Sequence, residues 1–173
     1  MFKKSLLSFL LIAVTGLMAF STVSCNIFKK NSRTRVRVLM LSNNTFESRL
    51  LCELAQYRNH QPILLYDASR SSFYSVSPDK QAEAISLDQF LGYVEFLNPR
   101  QVIILGDEDY VPAEYVKQVA DKFSVITIQG DDWYKNAQQL AEILDLNRLA
   151  RDFKNTRAHY LRDGLLRPGE EAK

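Results

Sequence analysis

Apolar residues come along this chain in short strand-like runs that alternate with helical stripes. Val36-Arg37-Val38-Leu39-Met40-Leu41 is a β-branched and apolar run ended by Ser42-Asn43-Asn44. Phe46, Leu50, Leu54 and Tyr57 then recur at helical spacing, about 100° per residue, which puts them on one stripe and Cys52 on the other side. Ile63-Leu64-Leu65-Tyr66 is the second run, closed by Asp67. Ser86 to Leu97 reads as a helix with Leu87, Phe90, Leu91, Val94 and Leu97 on one face, stopped by Asn98-Pro99. Val102-Ile103-Ile104-Leu105, closed by Gly106, is the third run. Pro112 suits the first turn of a helix carrying Val116, Val119 and Phe123. Val125-Ile126-Thr127-Ile128, closed by Gly130, is the fourth run, and Tyr134 to Leu146 is the helix after it.

Near-continuous apolar strands separated by helices indicate a parallel sheet covered on both faces. The expected fold is therefore α/β: a three-layer α/β/α sandwich around a four-stranded parallel, Rossmann/flavodoxin-like sheet of order 2-1-3-4. Ala68 to Ile85 lacks apolar periodicity until its end and reads as a surface loop or the start of a longer helix. No Gly/Pro linker divides the unit, so one domain spans about 35–146.

The first residues have a different grammar. Met1-Phe2-Lys3-Lys4 is basic, and Leu6 to Phe20 is apolar apart from Ser8, Thr15 and Gly16. This is the form of a secretory signal, here residues 1–24, and the apolar part falls short of the about 20 residues that span a bilayer. Cys25 follows Thr22-Val23-Ser24, which resembles the lipobox of bacterial lipoproteins with Thr22 in place of the usual leucine. Lipid on Cys25 would anchor the protein to an envelope membrane and leave Cys52 without a disulfide partner. Residues 25–34 then form a basic tether, and 147–173 a basic C-terminal helix and tail in which Leu149, Phe153 and Tyr160 are candidate packing contacts.

Composition narrows the partners. Of 173 residues, 46% are hydrophobic and 24% charged, as in a packed globular protein. With Lys3 and Lys4 removed by processing, 20 basic residues face 20 acidic ones. Such a balance lacks the broad cationic surface that general nucleic-acid binding requires.

Ligands of open parallel sheets gather at the carboxyl ends of the strands. Those ends carry Asn43 and Asn44; Asp67; Asp107, Glu108 and Asp109; and Asp131 and Asp132. Carboxylates on one rim suit a hard cation, while acidic loops before helices are also ordinary capping. No G-x-G-x-x-G, phosphate loop or nucleophile elbow is present, so no dinucleotide cofactor is expected. Trp133-Tyr134 is the dense aromatic pair beside a strand end; aromatic faces stack on sugar rings, and neighbouring carboxylates accept hydroxyl hydrogen bonds.

The order of these pieces resembles the cell wall-binding repeat 2 family of secreted Rossmann-like modules on bacterial envelopes. The resemblance is carried by Ser42-Asn43-Asn44-Thr45-Phe46 with Leu50, Ala55 and Gln61-Pro62-Ile63-Leu64-Leu65, by Val102-Ile103-Ile104-Leu105-Gly106 with Val111, and by Gln129-Gly130-Asp131-Asp132-Trp133-Tyr134 with Ala137. Trp133 stands where the family has arginine, Asn136 where it has threonine, and Asp107 where it has a second glycine. The resemblance implies a noncatalytic module that associates with cell-wall polymer or peptidoglycan through Asn43, Asn44, Asp107, Asp109, Asp131, Asp132, Trp133 and Tyr134. Family members often carry several tandem repeats, so the resemblance leaves a single repeat to form a homo-oligomer, act alone, or retain the fold with another use. Two alternatives stand beside it: a metal-assisted hydrolase of envelope glycans or phosphates using Asp107, Asp109, Asp131 or Asp132, and a structural partner that docks through the C-terminal helix.

Overall fold

A computed structural model of the chain describes residues 36–78 and 81–164. The signal segment, Cys25, the tether and the tail beyond Gly164 lie outside the described residues.

The chain lays down β1 (Val38–Asn43), α1 (Phe46–Asn59), β2 (Ile63–Asp67), β3 (Ser72–Val76) and β4 (Glu83–Ser86). A 3₁₀ turn over Leu87–Gln89 leads into α2 (Phe90–Leu97), followed by β5 (Gln101–Leu105), α3 (Ala113–Ala120), β6 (Ser124–Ile128), α4 (Trp133–Leu144) and α5 (Leu149–Arg162). The strands form one sheet in the order β4-β3-β2-β1-β5-β6. β1 pairs in parallel with β2 and β5, and β5 with β6, whereas β3 runs antiparallel to both β2 and β4.

The expected four-stranded, all-parallel Rossmann/flavodoxin-like sheet is thus overturned: the sheet is six-stranded and mixed. The two additional strands come from Ala68 to Ile85. Asp67 Oδ1 accepts from the Ser69 amide at 3.0 Å and the Ser69 hydroxyl at 2.6 Å, an Asx turn that reverses the chain. Ser71, at φ +47°, completes it, so Ser72 pairs with Asp67 and β3 runs back along β2. β3 escapes a simple polarity pattern because both its faces are used. Phe73 packs with one side of the sheet, while Tyr74 and Val76 pack against the other.

Period-two alternation divides the core into two layers. Val38, Met40, Ile63, Leu65, Ile103 and Leu105 face α1, α4 and α5. Leu39, Leu41, Leu64, Val102 and Ile104 face Phe73, Phe90, Tyr93, Val94, Tyr115 and Val119 on the opposite side.

α1 departs from the expected stripe. Its buried residues are Glu47, Ser48, Leu50, Leu51, Cys52, Ala55 and Gln56, while Tyr57 is 80% exposed. The helix is covered on two sides, by the sheet and by α5, whose Tyr160 meets Phe46 edge-on at 5.2 Å. Two covers bury a wider arc than the single face read from spacing. α5 itself buries Leu149 and Phe153 in the same core, so it belongs to the packed unit. Among the described residues no helix is long and apolar enough to cross a membrane.

Candidate functional site

The strand order reverses beside β1, where β1 and β5 lie next to each other and their connections leave on opposite faces, the place where open α/β sheets form a crevice. The Ser42 hydroxyl donates to the Leu105 carbonyl at 2.8 Å and ties the ends of these strands together. Above them sit three loops: 43–45 after β1, 106–112 after β5 and 129–132 after β6.

Each loop uses its polar side chains to turn the chain. Asn43 Oδ1 accepts from the Thr45 amide at 3.2 Å and the Thr45 hydroxyl at 2.7 Å, and Ser48 Oγ donates to the Asn43 carbonyl at 2.8 Å. Asn44 is exposed, and its backbone amide donates to the Tyr66 carbonyl at 2.8 Å. Asp107 Oδ1 accepts from the Asp109 amide at 3.0 Å, and Asp109 is exposed. Asp132 caps α4 by accepting from the Tyr134 and Lys135 amides at 3.1 and 3.0 Å. Such capping satisfies the orphan amides of a helix start. Hydrogen bonds also hold the Asp67 carboxyl below its ordinary range, the Ser69 hydroxyl being the largest cause, opposed by a small burial effect and joined by the Arg70, Ser69 and Asn44 donors.

Tyr110 sits at the centre of the rim. Its ring meets Trp133 edge-on at 5.2 Å. Burial pushes the Tyr110 phenol above its ordinary pKa; the Trp133 side chain opposes this, and the charges of Asp131, Asp107 and Glu47 reinforce it. Gly106, at φ +100°, makes room for the ring, because a Cβ there would stand 2.5 Å from Tyr110 Cγ.

Two openings flank this hub on opposite faces of the sheet. The larger, about 450 Å³, lies between the start of α4 and one flank of α5 and is lined by Asp131, Asp132, Trp133, Tyr134, Lys154 and Arg157, among others. Trp133 is only 4% exposed, so it forms the wall, whereas Tyr134 is 42% exposed and carries Lys154 Nζ 5.8 Å above its ring. Arg157 Nε donates to the carboxylate of buried Glu47 at the inner end. The smaller opening, about 260 Å³, is lined by Asp107, Glu108, Lys117, Thr127 and Gln129 beside α3.

The structure therefore gathers Asp131, Asp132, Trp133 and Tyr134 in one groove, places Asp107 at another opening, and leaves Asn43, Asn44 and Asp109 in turns. Among the described residues, no three Asp, Glu, His or Cys side chains come together as a metal-binding group. Glu47, Tyr110, Lys154 and Arg157 were not picked out by spacing. The signal for the last two was the basic character of α5, which acquires a place only when the helix docks. Cys52 is fully buried in the core, and burial, with a lesser push from Glu53, drives its thiol pKa far up. A thiol held in that state is a packing group, not a nucleophile.

No protein-family model, no curated protein and no solved structure matches this chain. None of these comparisons supports the resemblance to the cell wall-binding repeat 2 family, which rests on the residues quoted for it alone.

Proposed function

We propose that this protein is a noncatalytic envelope lipoprotein, held at a membrane by lipid on Cys25, whose groove between α4 and α5 binds a cell-wall polymer. The observation that carries it is the groove's lining: around about 450 Å³ stand one exposed aromatic ring, the Lys154 ammonium and the exposed carboxylates of Asp131 and Asp132, with the Glu47–Arg157 pair at the inner end. A tyrosine face stacks on a sugar ring, Asp131 and Asp132 accept from sugar hydroxyls, and Lys154 pairs with an acidic substituent of the polymer. Asp132 keeps an oxygen for this task because its amide bonds fall on Oδ1 alone.

A binding role is favoured over catalysis by the state of the reactive groups. Cys52 is sealed in the core, and His159 pairs with Asp163 at 2.8 Å on the exposed flank of α5, away from the groove lining. Among the described residues, neither histidine nor cysteine lines the groove as a nucleophile or base.

The test is sedimentation of the processed protein with purified sacculi. Retention that drops about three- to tenfold in Tyr134→Ala, in line with the worth of one aromatic contact, supports the groove. Absence of retention by the unaltered protein sinks the proposal. Mass spectrometry of the mature amino terminus tests the anchor separately, and an unmodified Cys25 removes it.

A further inference from the structure

We propose that the outer face of α5 is a docking surface for anionic lipid headgroups. The inference rests on the reading that the protein is held at a membrane, and it names the surface turned toward that membrane. α5 is sequestered on one side only: Leu149 and Phe153 are buried, and Arg157 reaches inward to Glu47. At about 100° per residue, Arg148, Arg151, Asn155, His159 and Arg162 fall within one arc of about 80° on the opposite side. With about 1.5 Å of rise per residue the row is about 21 Å long. All five residues are exposed.

The acidic residues of α5 do not cancel the row. Asp152 is engaged by Arg58 of α1, with Arg151 Nε a looser 3.7 Å away, and Asp163 bonds His159 beyond the helix end. Glu142 and Asp145 belong to α4 and its cap, not to this arc. Arg148, Arg151 and Arg162 thus present guanidinium groups to solvent along a single helix face.

Shape and position select the partner. The outside of a helix is convex and has no cavity with which to grip one polymer chain, whereas a planar array of phosphates matches a straight row of guanidinium groups. The row also begins where the chain leads back toward Cys25. The Arg37 amide donates to Gln61 Oε1 at 3.1 Å, Gln61 follows Arg58 at the end of α1, and Arg58 shares Asp152 with Arg151. Arg37, at the start of the described fold, thus lies toward the Arg148 end of the row.

The experiment uses the chain from residue 25 onward, the form expected after removal of the signal, with Cys25→Ser so that lipid plays no part. Binding is measured to phosphatidylcholine vesicles with and without phosphatidylglycerol. Each cation near an anionic surface is worth about fivefold in partition, so the Arg148→Gln/Arg151→Gln/Arg162→Gln triple variant binds phosphatidylglycerol vesicles about a hundredfold more weakly. The corresponding triple lysine variant keeps binding, and molar salt abolishes it. Circular dichroism and thermal melting report that both variants stay folded, as expected for exposed positions. Equal binding to both vesicle types overturns the proposal. So does binding lost only on replacing Lys29, Lys30 and Arg33 of the tether, and so does a triple variant that loses sacculi while the parent ignores vesicles, which would assign the row to wall polymer. Failure of the anchor reading appears elsewhere, as an unlipidated Cys25 by mass spectrometry with headgroup binding intact.

Discussion

The two faces of the sheet are built differently. One face closes over an aromatic cluster: Phe73 stacks on Phe90 at 4.3 Å, and both meet Tyr115 edge-on at 5.1 and 5.3 Å. Ser75 and Tyr93 form a buried hydroxyl pair on that side at 2.6 Å. The other face packs aliphatic residues under α1, α4 and α5 and carries the Glu47–Arg157 ion pair at the inner end of a groove. The face filled by large rings keeps the smaller opening, about 260 Å³ beside α3. A face closed by a separately docked helix keeps a seam along that helix, and charged groups in the seam hold their partners in place while remaining reachable. On the proposed reading, the first face serves stability and the second recognition.

The largest effect falls on the aromatic side. Phe73→Ala removes a fully buried ring and lowers stability by about 3–5 kcal/mol in urea denaturation, with sacculi retention of the folded protein unchanged. Arg157→Ala strikes the other side: it leaves the Glu47 carboxylate without its cation and costs about 2 kcal/mol. Adding Glu47→Gln recovers part of that loss, as a double-mutant cycle measures. Gly106→Ala costs about 1–2 kcal/mol, because a residue with a Cβ takes up positive φ at that penalty and the added methyl meets the Tyr110 ring. Trp133 is the single tryptophan, so displacement of Tyr110 reads out directly as a shift in its fluorescence. Tyr134→Ala, at an exposed position, changes stability by less than about 0.5 kcal/mol while weakening sacculi retention; an equal loss in both would place Tyr134 in the structural framework.

The finest test is the titration of Tyr110, followed by NMR of labelled tyrosine ring carbons. Asp131→Asn removes a nearby negative charge and lowers the Tyr110 pKa, whereas Trp133→Phe removes the opposing indole and raises it. The linked stability has one sign. The folded phenol holds its proton above the ordinary tyrosine range, so its contribution is fully present below that range. It is lost as pH rises from the unfolded value through the folded one, because the unfolded chain ionises first.

Parts of this arrangement were legible along the chain. The runs at Val36, Ile63, Val102 and Val125 lie in or overlap β1, β2, β5 and β6, since an unbroken apolar run marks a strand wherever it falls. The hairpin of β3 and β4 was not legible. Ser72-Phe73-Tyr74-Ser75-Val76 buries Phe73 and Ser75 on one side and half-buries Tyr74 and Val76 on the other, so no polarity period survives. The α1 stripe was misjudged for a related reason, as the docking of α5 adds a second cover that spacing within α1 does not reveal. At the rim, the turn chemistry of Asn43, Asp107 and Asp132 could be read locally, but Tyr110 and Lys154 could not.

Local patterning by itself determined the strand runs, the helices between them and the turns that end them, because propensity, capping and periodicity act over a few residues. The mixed sheet, the burial of Cys52, the Tyr110–Trp133 hub and the groove were decided only by tertiary structure. Each depends on residues far apart along the chain, as in Arg157 meeting Glu47. Such meetings follow from which surfaces exclude water together, a property of the assembled layers and not of any single segment.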